Sequence, residues 1–272
     1  MQNFSVLMSV YIKECPAHFN QALNSILVNQ TLKPTELVLV CDGELTPELE
    51  AVIDKYKALC PSVIKVFRKE NGGLGRALNF GLPKCSYDIV ARADTDDICK
   101  PTRFERQVSL MESMPEIDVV GAWVDEFEND VTNVISVRKL PESHHEIYEF
   151  GKGRNPLNHP VVMFRKKAVE AVSGYQHFYL FEDYYLWVRM LVNGAKFHNL
   201  QESLLWFRTS PEMFKRRGGW KYACVEAKFQ WTLYNLNYIP LFTALKNIGI
   251  RFTVRILPNS IRKLVYNKLL RN

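Results

Sequence analysis

A chain of 272 residues is long enough for one large α/β domain or one domain with an appendage, and 47% hydrophobic with 12% aromatic residues excludes wholesale disorder. Residues 1–226 carry a net charge of −2, whereas the last 46 residues hold eight basic residues and no acid, so the overall +6 belongs to the C-terminal end. Six cysteines with no CxxC pair argue for reduced thiols in a cytosolic protein, and no run of 18 uncharged apolar residues offers a conventional membrane span.

The first 125 residues alternate strand and helix patterns. Strands are expected over Phe4–Tyr11, Glu36–Cys41, Val63–Phe67, Tyr87–Arg92 and Ile117–Val124. Helices are expected from Pro16, over Pro47–Leu59, over Gly75–Leu82 and over Pro101–Met114. Each of Pro16, Pro47 and Pro101 falls where a first helical turn has no N–H to lose. Such alternation implies right-handed βαβ units, a mostly parallel sheet with helices on both faces, and ligands at the carboxyl ends of the strands. Tyr11, Asp42, Asn71 and Asp94–Asp97 all fall at those ends.

From residue 126 to 155 the pattern turns polar, predicting a short antiparallel element and a helix around Ser143–Phe150. NHPVVMFRKKAVEAVSGY then reads as strand, helix and a stop at Gly174. FEDYYLWVRMLVNGAKFHN reads as a helix ended by Gly194 and a short strand, and the chain after Ser210 reads as helical to its end.

The stretch YDIVARADTDDICKP places Asp94, Asp96 and Asp97 directly behind a buried apolar run. Residues i and i+2 of extended chain point the same way, so Asp94 and Asp96 address one point. Hard oxygen donors in that arrangement suit Mg²⁺ or Mn²⁺ completed by substrate phosphates. Capping of the next helix would account for one aspartate but not for three. Asn71, Gly72, Gly73 and Gly75 form a turn into a helix carrying Arg76, a start that favours anions, though the spacing matches neither a Walker A loop nor a Rossmann fingerprint.

SVLMSVY, VLVCDG, ENGGLGRALNFGL and ARADTDD, in that order, followed by NHPVVMFRK and LFEDYYLWVRM, resemble glycosyltransferase family 2 over roughly residues 4 to 220. The likeness is greatest to small bacterial enzymes that extend surface polysaccharide repeat units. It implies a GT-A-like α/β fold for residues 1–220 and leaves 221–272 as a basic, amphipathic helical extension. By resemblance, Ser9 and Tyr11 contact the nucleotide, Asp42 reads the base, and Asn71 and Arg76 belong to the loop beneath it. Asp94 and Thr95 hold the donor, and Asp96 with Asp94 holds the metal. Many members read YN after the first strand, where this chain has Tyr11-Ile12.

Sugar transfer to a hydroxyl needs a base as the oxygen attacks. By resemblance to the family's ED motif, Asp183 is that base, with Glu182 and Trp187 shaping the acceptor site and His159 facing it. The acids at 182 and 183 would also favour a helix start electrostatically. Arg208, Arg216 or Arg217 is a candidate clamp on the diphosphate. The family implies inversion, a UDP-hexose or UDP-N-acetylhexosamine donor, and a glycan acceptor that is lipid-linked. The absence of a QxxRW signature points to single addition rather than processive synthesis.

The segment 239–272 interleaves apolar residues with Lys246, Arg251, Arg255, Arg262, Lys263, Lys268 and Arg271. Basic amphipathic helices lie on anionic membranes, which predicts a cytoplasmic protein peripheral on the inner face of a bacterial membrane. No recognition motif accompanies the charge, so nucleic acid is not expected as a partner. Two other functions would use the same acids. A sugar-nucleotide-forming nucleotidyltransferase normally has a Gly-rich loop after its first strand, absent from Tyr11–Pro16. A non-catalytic membrane-docked binding module would have no need of Asp94, Asp96 and Asp183 together.

Overall fold

Apolar runs bounded by glycine, proline and capping residues form the elements in this chain. The computed structural model describes residues 2–209 and 219–256. In chain order these are β1 (Phe4–Val10), α1 (Pro16–Leu27), β2 (Glu36–Asp42), α2 (Pro47–Leu59), β3 (Ile64–Lys69), α3 (Leu74–Gly81) and β4 (Ile89–Ala93). Next come β5 (Ile98–Cys99), α4 (Arg103–Ser113), β6 (Val119–Phe127), β7 (Val134–Arg138), α5 (His144–Gly151), β8 (Met163–Arg165) and α6 (Lys166–Glu170). The last four are α7 (Glu182–Val192), β9 (Phe197–Arg208), α8 (Trp220–Asn235) and α9 (Leu241–Ile256).

Local chemistry explains most boundaries. Pro16 and Pro47 open their helices, and Thr46 accepts a hydrogen bond from the Leu49 N–H (3.4 Å). Ser143 and Glu146 form a reciprocal capping box at the start of α5. Pro101 instead stands just outside its helix, which begins at Arg103.

One sheet runs in the order β3-β2-β1-β4-β8-β6-β9-β5, with β7 paired to β6. The expected parallel order holds over β3-β2-β1-β4. Beyond that, β8 is antiparallel to both β4 and β6, and β6 and β9 are parallel to each other. Two antiparallel steps restore the direction of β4, so the ends of β6 and β9 reach the same edge as the ends of β1–β4.

The short strand expected after Gly194 is the long β9. Its polar middle reads as an interruption in sequence, but register shifts against β6 around Trp123 let the strand continue to Arg208.

Side chains alternate into two cores. Val6, Met8, Leu37 and Leu39 face α1, α2 and α4, while Leu7, Val38 and Val40 face α3 and α7. Gly81 lets α3 lie on the sheet, since a Cβ there would stand 2.5 Å from Leu7 Cδ1 and 2.7 Å from Val40 Cγ2. Phe229, Leu233, Tyr238, Ile239 and Ala244 join the same core as Leu186 and Trp187, so α8 and the start of α9 pack on the domain.

Arg251 and Arg255, expected among outward-facing cations, turn inward. The buried Glu226 carboxylate accepts from Arg251 and from Arg255 Nε (2.7 Å). Among the described residues no helix is long and apolar enough to cross a membrane. The remainder of the tail, with Arg262, Lys263, Lys268 and Arg271, lies outside the described residues, as do Arg216 and Arg217.

Candidate active site

The carboxyl ends of β1–β4 gather the expected donor residues. Ser9, one residue before the end of β1, is partly exposed, and Tyr11 stands exposed just beyond the strand. Asp42, at the end of β2, is buried, and its oxygens accept from Lys69 Nζ (2.7 Å), Asn71 Nδ2 (3.3 Å) and the N–H groups of Gly72 (2.9 Å) and Gly73 (2.8 Å). These donors match the roughly four lone-pair positions of a carboxylate, so Asp42 orders the glycine loop, and a base N–H would have to displace Lys69 or Asn71. Gly73 adopts φ +88° with nothing near the place of a Cβ, leaving open space at the start of α3. Exposed Arg76 folds back across Gly72, its Cδ 3.1 Å from where a Cβ would sit there.

At the end of β4, buried Arg92 grips Asp94 through both of its terminal nitrogens. Arg92 and Asp94 occupy i and i+2 on one side of an extended chain, a spacing visible in the sequence, yet the pairing was not anticipated. Asp97 is buried, and its Oδ1 accepts from the Arg208 N–H (2.8 Å) while Oδ2 has no partner. Arg208 Nε also donates to the Asp96 carbonyl (2.9 Å), so of the three candidate arginines the described one lies against the acidic cluster.

Charge is therefore balanced unequally across the cluster. Burial, with the adjacent Asp94 charge, pushes the Asp96 carboxyl up to about 6. Burial and the neighbouring aspartates push Asp97 well above the usual carboxylate range. Carboxylate oxygens of Asp94, Asp96 and Asp97 lie within 4.8 Å of one another. A hard-oxygen set with one under-compensated carboxylate fits a divalent cation, with Asp96 the most available ligand and Asp94 shared with Arg92.

Sequence reasoning missed a fourth acid. Glu14, in the turn after β1, hydrogen-bonds the buried Thr95 side chain and faces Asp96 and Asp94. Burial first, then those charges, raise its carboxyl to about 7. Nothing local marks this residue, because the fold alone brings the β1 turn over the β4 end.

The second half of the site is built by α7 and the loops beside it. Asp183 Oδ2 accepts from Asn155 Nδ2 (2.7 Å), a donor from a polar stretch with no period to identify it. Glu182 lies on the other side, 3.6 Å from His177 Nδ1, with its Cγ 3.8 Å from the place of a Gly75 Cβ. Burial raises its carboxyl. His159 Nε2 and the Tyr175 hydroxyl are 2.8 Å apart. Burial, reinforced by the charge of Arg92, keeps His159 neutral. Tyr175, also unforeseen, is buried, and its Cβ lies 3.5 Å from the place of a Gly75 Cβ, beside the Glu182 Cγ at 3.8 Å.

Trp187, expected at the acceptor surface, is 0% exposed. Helical periodicity puts it on the inward face of α7, where its ring lies 5.9 Å from that of His159. It supports His159 from beneath and lines no surface. Asn79 ties the two halves, accepting from the Tyr175 N–H (2.8 Å) and donating to the Tyr175 carbonyl (2.6 Å).

Known proteins agree with this architecture. Residues 5–172 match the family described as glycosyl transferase family 2. A UDP-Gal:alpha-D-GlcNAc-diphosphoundecaprenol beta-1,3-galactosyltransferase of Escherichia coli is 43% identical, over 98% of this chain and 96% of its own. An amylovoran biosynthesis glycosyltransferase of Erwinia amylovora is 41% identical, over 97% and 98%. Among solved structures, S. aureus TarS with UDP-GlcNAc superposes with TM-score 0.68 at 16% identity, covering 98% of this chain and 76% of that one. A Pyrobaculum calidifontis mannosyltransferase with GDP-Man and Mn²⁺ gives TM-score 0.63 at 14% identity, covering 98% and 80%. These last two likenesses are of fold.

Proposed function

The chain belongs to glycosyl transferase family 2, and from that premise we propose that it moves one hexose from a UDP-sugar, with inversion, to a hydroxyl of a lipid-linked diphosphate sugar. The observation that carries this reading is the meeting of the two halves at Gly75, where a Cβ would stand 3.5 Å from Tyr175 Cβ and 3.8 Å from Glu182 Cγ, so that the acids at the start of α7 lie beside the glycine loop. The resemblance to a UDP-galactose-dependent enzyme with a diphosphoundecaprenol-linked acceptor supports the substrate classes.

The acceptor oxygen attacks the anomeric carbon, the bond from that carbon to the diphosphate oxygen breaks, UDP leaves with the electron pair, and Asp183 takes the acceptor proton. Asn155 holds the carboxylate so that one lone pair faces the acceptor. The open N-terminus of α3 and the Arg76 side chain receive the diphosphate. Asp96 and Asp94 would hold Mn²⁺ or Mg²⁺, which supplies positive charge for the leaving diphosphate. Neutral His159, fixed by Tyr175, offers the acceptor a hydrogen-bonding edge without a competing charge.

Calorimetric titration tests the donor site. UDP binds wild type in Mn²⁺, and either EDTA or Asp96→Ala removes that binding. UDP affinity indifferent to both changes excludes a metal-bound donor. Asn155→Ala tests the positioning of the base. Losing one charge-assisted hydrogen bond lowers kcat about tenfold, while the KM for UDP-sugar stays constant. A rise in that KM at unchanged kcat would assign Asn155 to donor binding instead.

The membrane reading now centres on one face of α9. Leu241, Phe242, Leu245 and Ile250 are exposed there beside Lys246, and the chain from 257 to 272 adds four cations and no acid. Flotation with anionic vesicles should lose the protein on Phe242→Asp/Leu245→Asp substitution. Equal flotation of that variant and wild type would remove α9 from the membrane contact.

A further inference from the structure

The loop that supplies Asn155 carries two cations with no role in the mechanism above. It follows α5 as Lys152-Gly153-Arg154, so both stand within three residues of the side chain that holds Asp183. Three extended residues span at most about 10 Å. Both cations are thus within reach of a substituent on a sugar bound at Asp183.

The backbone of this loop is arranged to suit an anion. The Gly151 carbonyl accepts from the Tyr184 hydroxyl (2.6 Å), the Lys152 carbonyl from Asn247 Nδ2 (3.1 Å), and the Gly153 carbonyl from Arg251. Three consecutive carbonyl oxygens therefore bond inward to α7 and α9 and cannot repel a negative group outside. Lys152 Nζ lies 2.5 Å from Glu149 Oε1, but both side chains are solvated, at 30% and 50% exposure. Such a pair contributes little and is readily exchanged for a stronger anion. The Arg154 guanidinium stands 5.7 Å from the Phe150 ring centroid, a cation on an apolar support.

The helix that grips the loop is α9: Asn247 and Arg251 reach from it to the loop, and elsewhere it exposes Leu241, Phe242 (79% exposed), Leu245 and Ile250. The base, two cations on the loop that holds it, and apolar side chains on the helix that holds that loop thus belong to one connected part of the protein. A lipid-linked acceptor carries the three complementary groups, a hydroxyl, a diphosphate and a hydrocarbon.

We infer that Lys152 and Arg154 form the subsite for the diphosphate of the acceptor. This rests on the reading of the acceptor as a lipid-linked diphosphate sugar, and it adds the side chains that would select that class over an uncharged glycoside. Arginine and lysine are the side chains that bind diphosphate oxygens with charge-assisted hydrogen bonds.

The test uses farnesyl diphosphate as a short soluble probe and farnesol as its uncharged counterpart, with UDP and Mn²⁺ present and no vesicles. Wild type should bind farnesyl diphosphate more tightly than farnesol. K152A/R154A should lose about tenfold or more of that affinity, as expected for two lost charge-assisted contacts. UDP affinity should be unchanged, which also verifies the fold, and Lys152→Arg with Arg154→Lys should retain most of the binding. A wild type indifferent to the diphosphate refutes the lipid-diphosphate acceptor reading itself. Wild-type preference that survives in the double variant refutes only the assignment of these two side chains. Loss of anionic-vesicle binding with probe binding intact would make them a headgroup contact, and the proposal would fall.

Discussion

Asp183→Asn should lower kcat for sugar transfer by about 10²–10⁴-fold, the range for removal of a general base, with UDP-sugar binding unchanged. The substitution keeps the shape of the side chain and leaves an oxygen to accept from Asn155, so the loop around it has no reason to move. The amide has no proton affinity to offer the attacking hydroxyl. Steady-state kinetics with separate donor and acceptor titrations would show the loss in kcat. Retention of kcat within about threefold would exclude Asp183 as the base. Glu182→Gln is the natural comparison, because Glu182 lies toward Gly75 and His177 instead of Asn155. A larger loss there than in Asp183→Asn would exchange the roles of the two acids.

The second large effect is expected far from the chemistry. Glu226→Ala should destabilise the fold by about 3–5 kcal/mol, the cost of removing one partner from a buried ion pair. Burial alone would push the Glu226 carboxyl up, but the Arg255 hydrogen bond and the Arg251 charge outweigh it and hold it low. A lowered folded-state pKa means stability that is present above the ordinary carboxylate range and is lost as pH falls through the folded value. Without Glu226, two arginines would face each other against the core, one of them still bonded to the Gly153 carbonyl. Urea unfolding at neutral pH would measure the loss. Replacing Glu226, Arg251 and Arg255 together with methionine should return most of it, because the ions are costly to bury in the first place. A single Glu226→Ala variant as stable as wild type would show that the cluster contributes nothing.

The same cluster shows where sequence reasoning goes astray. Arg251 and Arg255 read as outward cations because nothing local distinguishes a lysine or arginine facing water from one facing a glutamate 25 or 29 residues earlier. The partner is set by how α9 packs on α8. Trp187 illustrates the opposite case, since its spacing of three from Met190 and four from Leu191 already marks a buried face in the sequence.

The first half of the fold was written locally. Apolar alternation and prolines at helix starts place β1 to β4 and α1 to α3 within a residue or two, and the parallel order follows from βαβ handedness. That placement alone brings Ser9, Tyr11, Asp42, Asn71 and the aspartates to one edge, because every strand of a parallel sheet ends on the same side. The sequence by itself thus determined the fold class, the sheet edge at which these residues gather and the pair of acids at the start of α7. Only the tertiary structure decided what each acid faces: Arg92 on Asp94, Arg208 on Asp97, the glycine loop on Asp42, Asn155 on Asp183 and Glu14 over Thr95. Apart from Arg92, these partners lie about 28 or more residues away along the chain. Their meeting depends on sheet order and loop packing, and no short-range pattern of residues encodes the energy of a contact closed across such a distance.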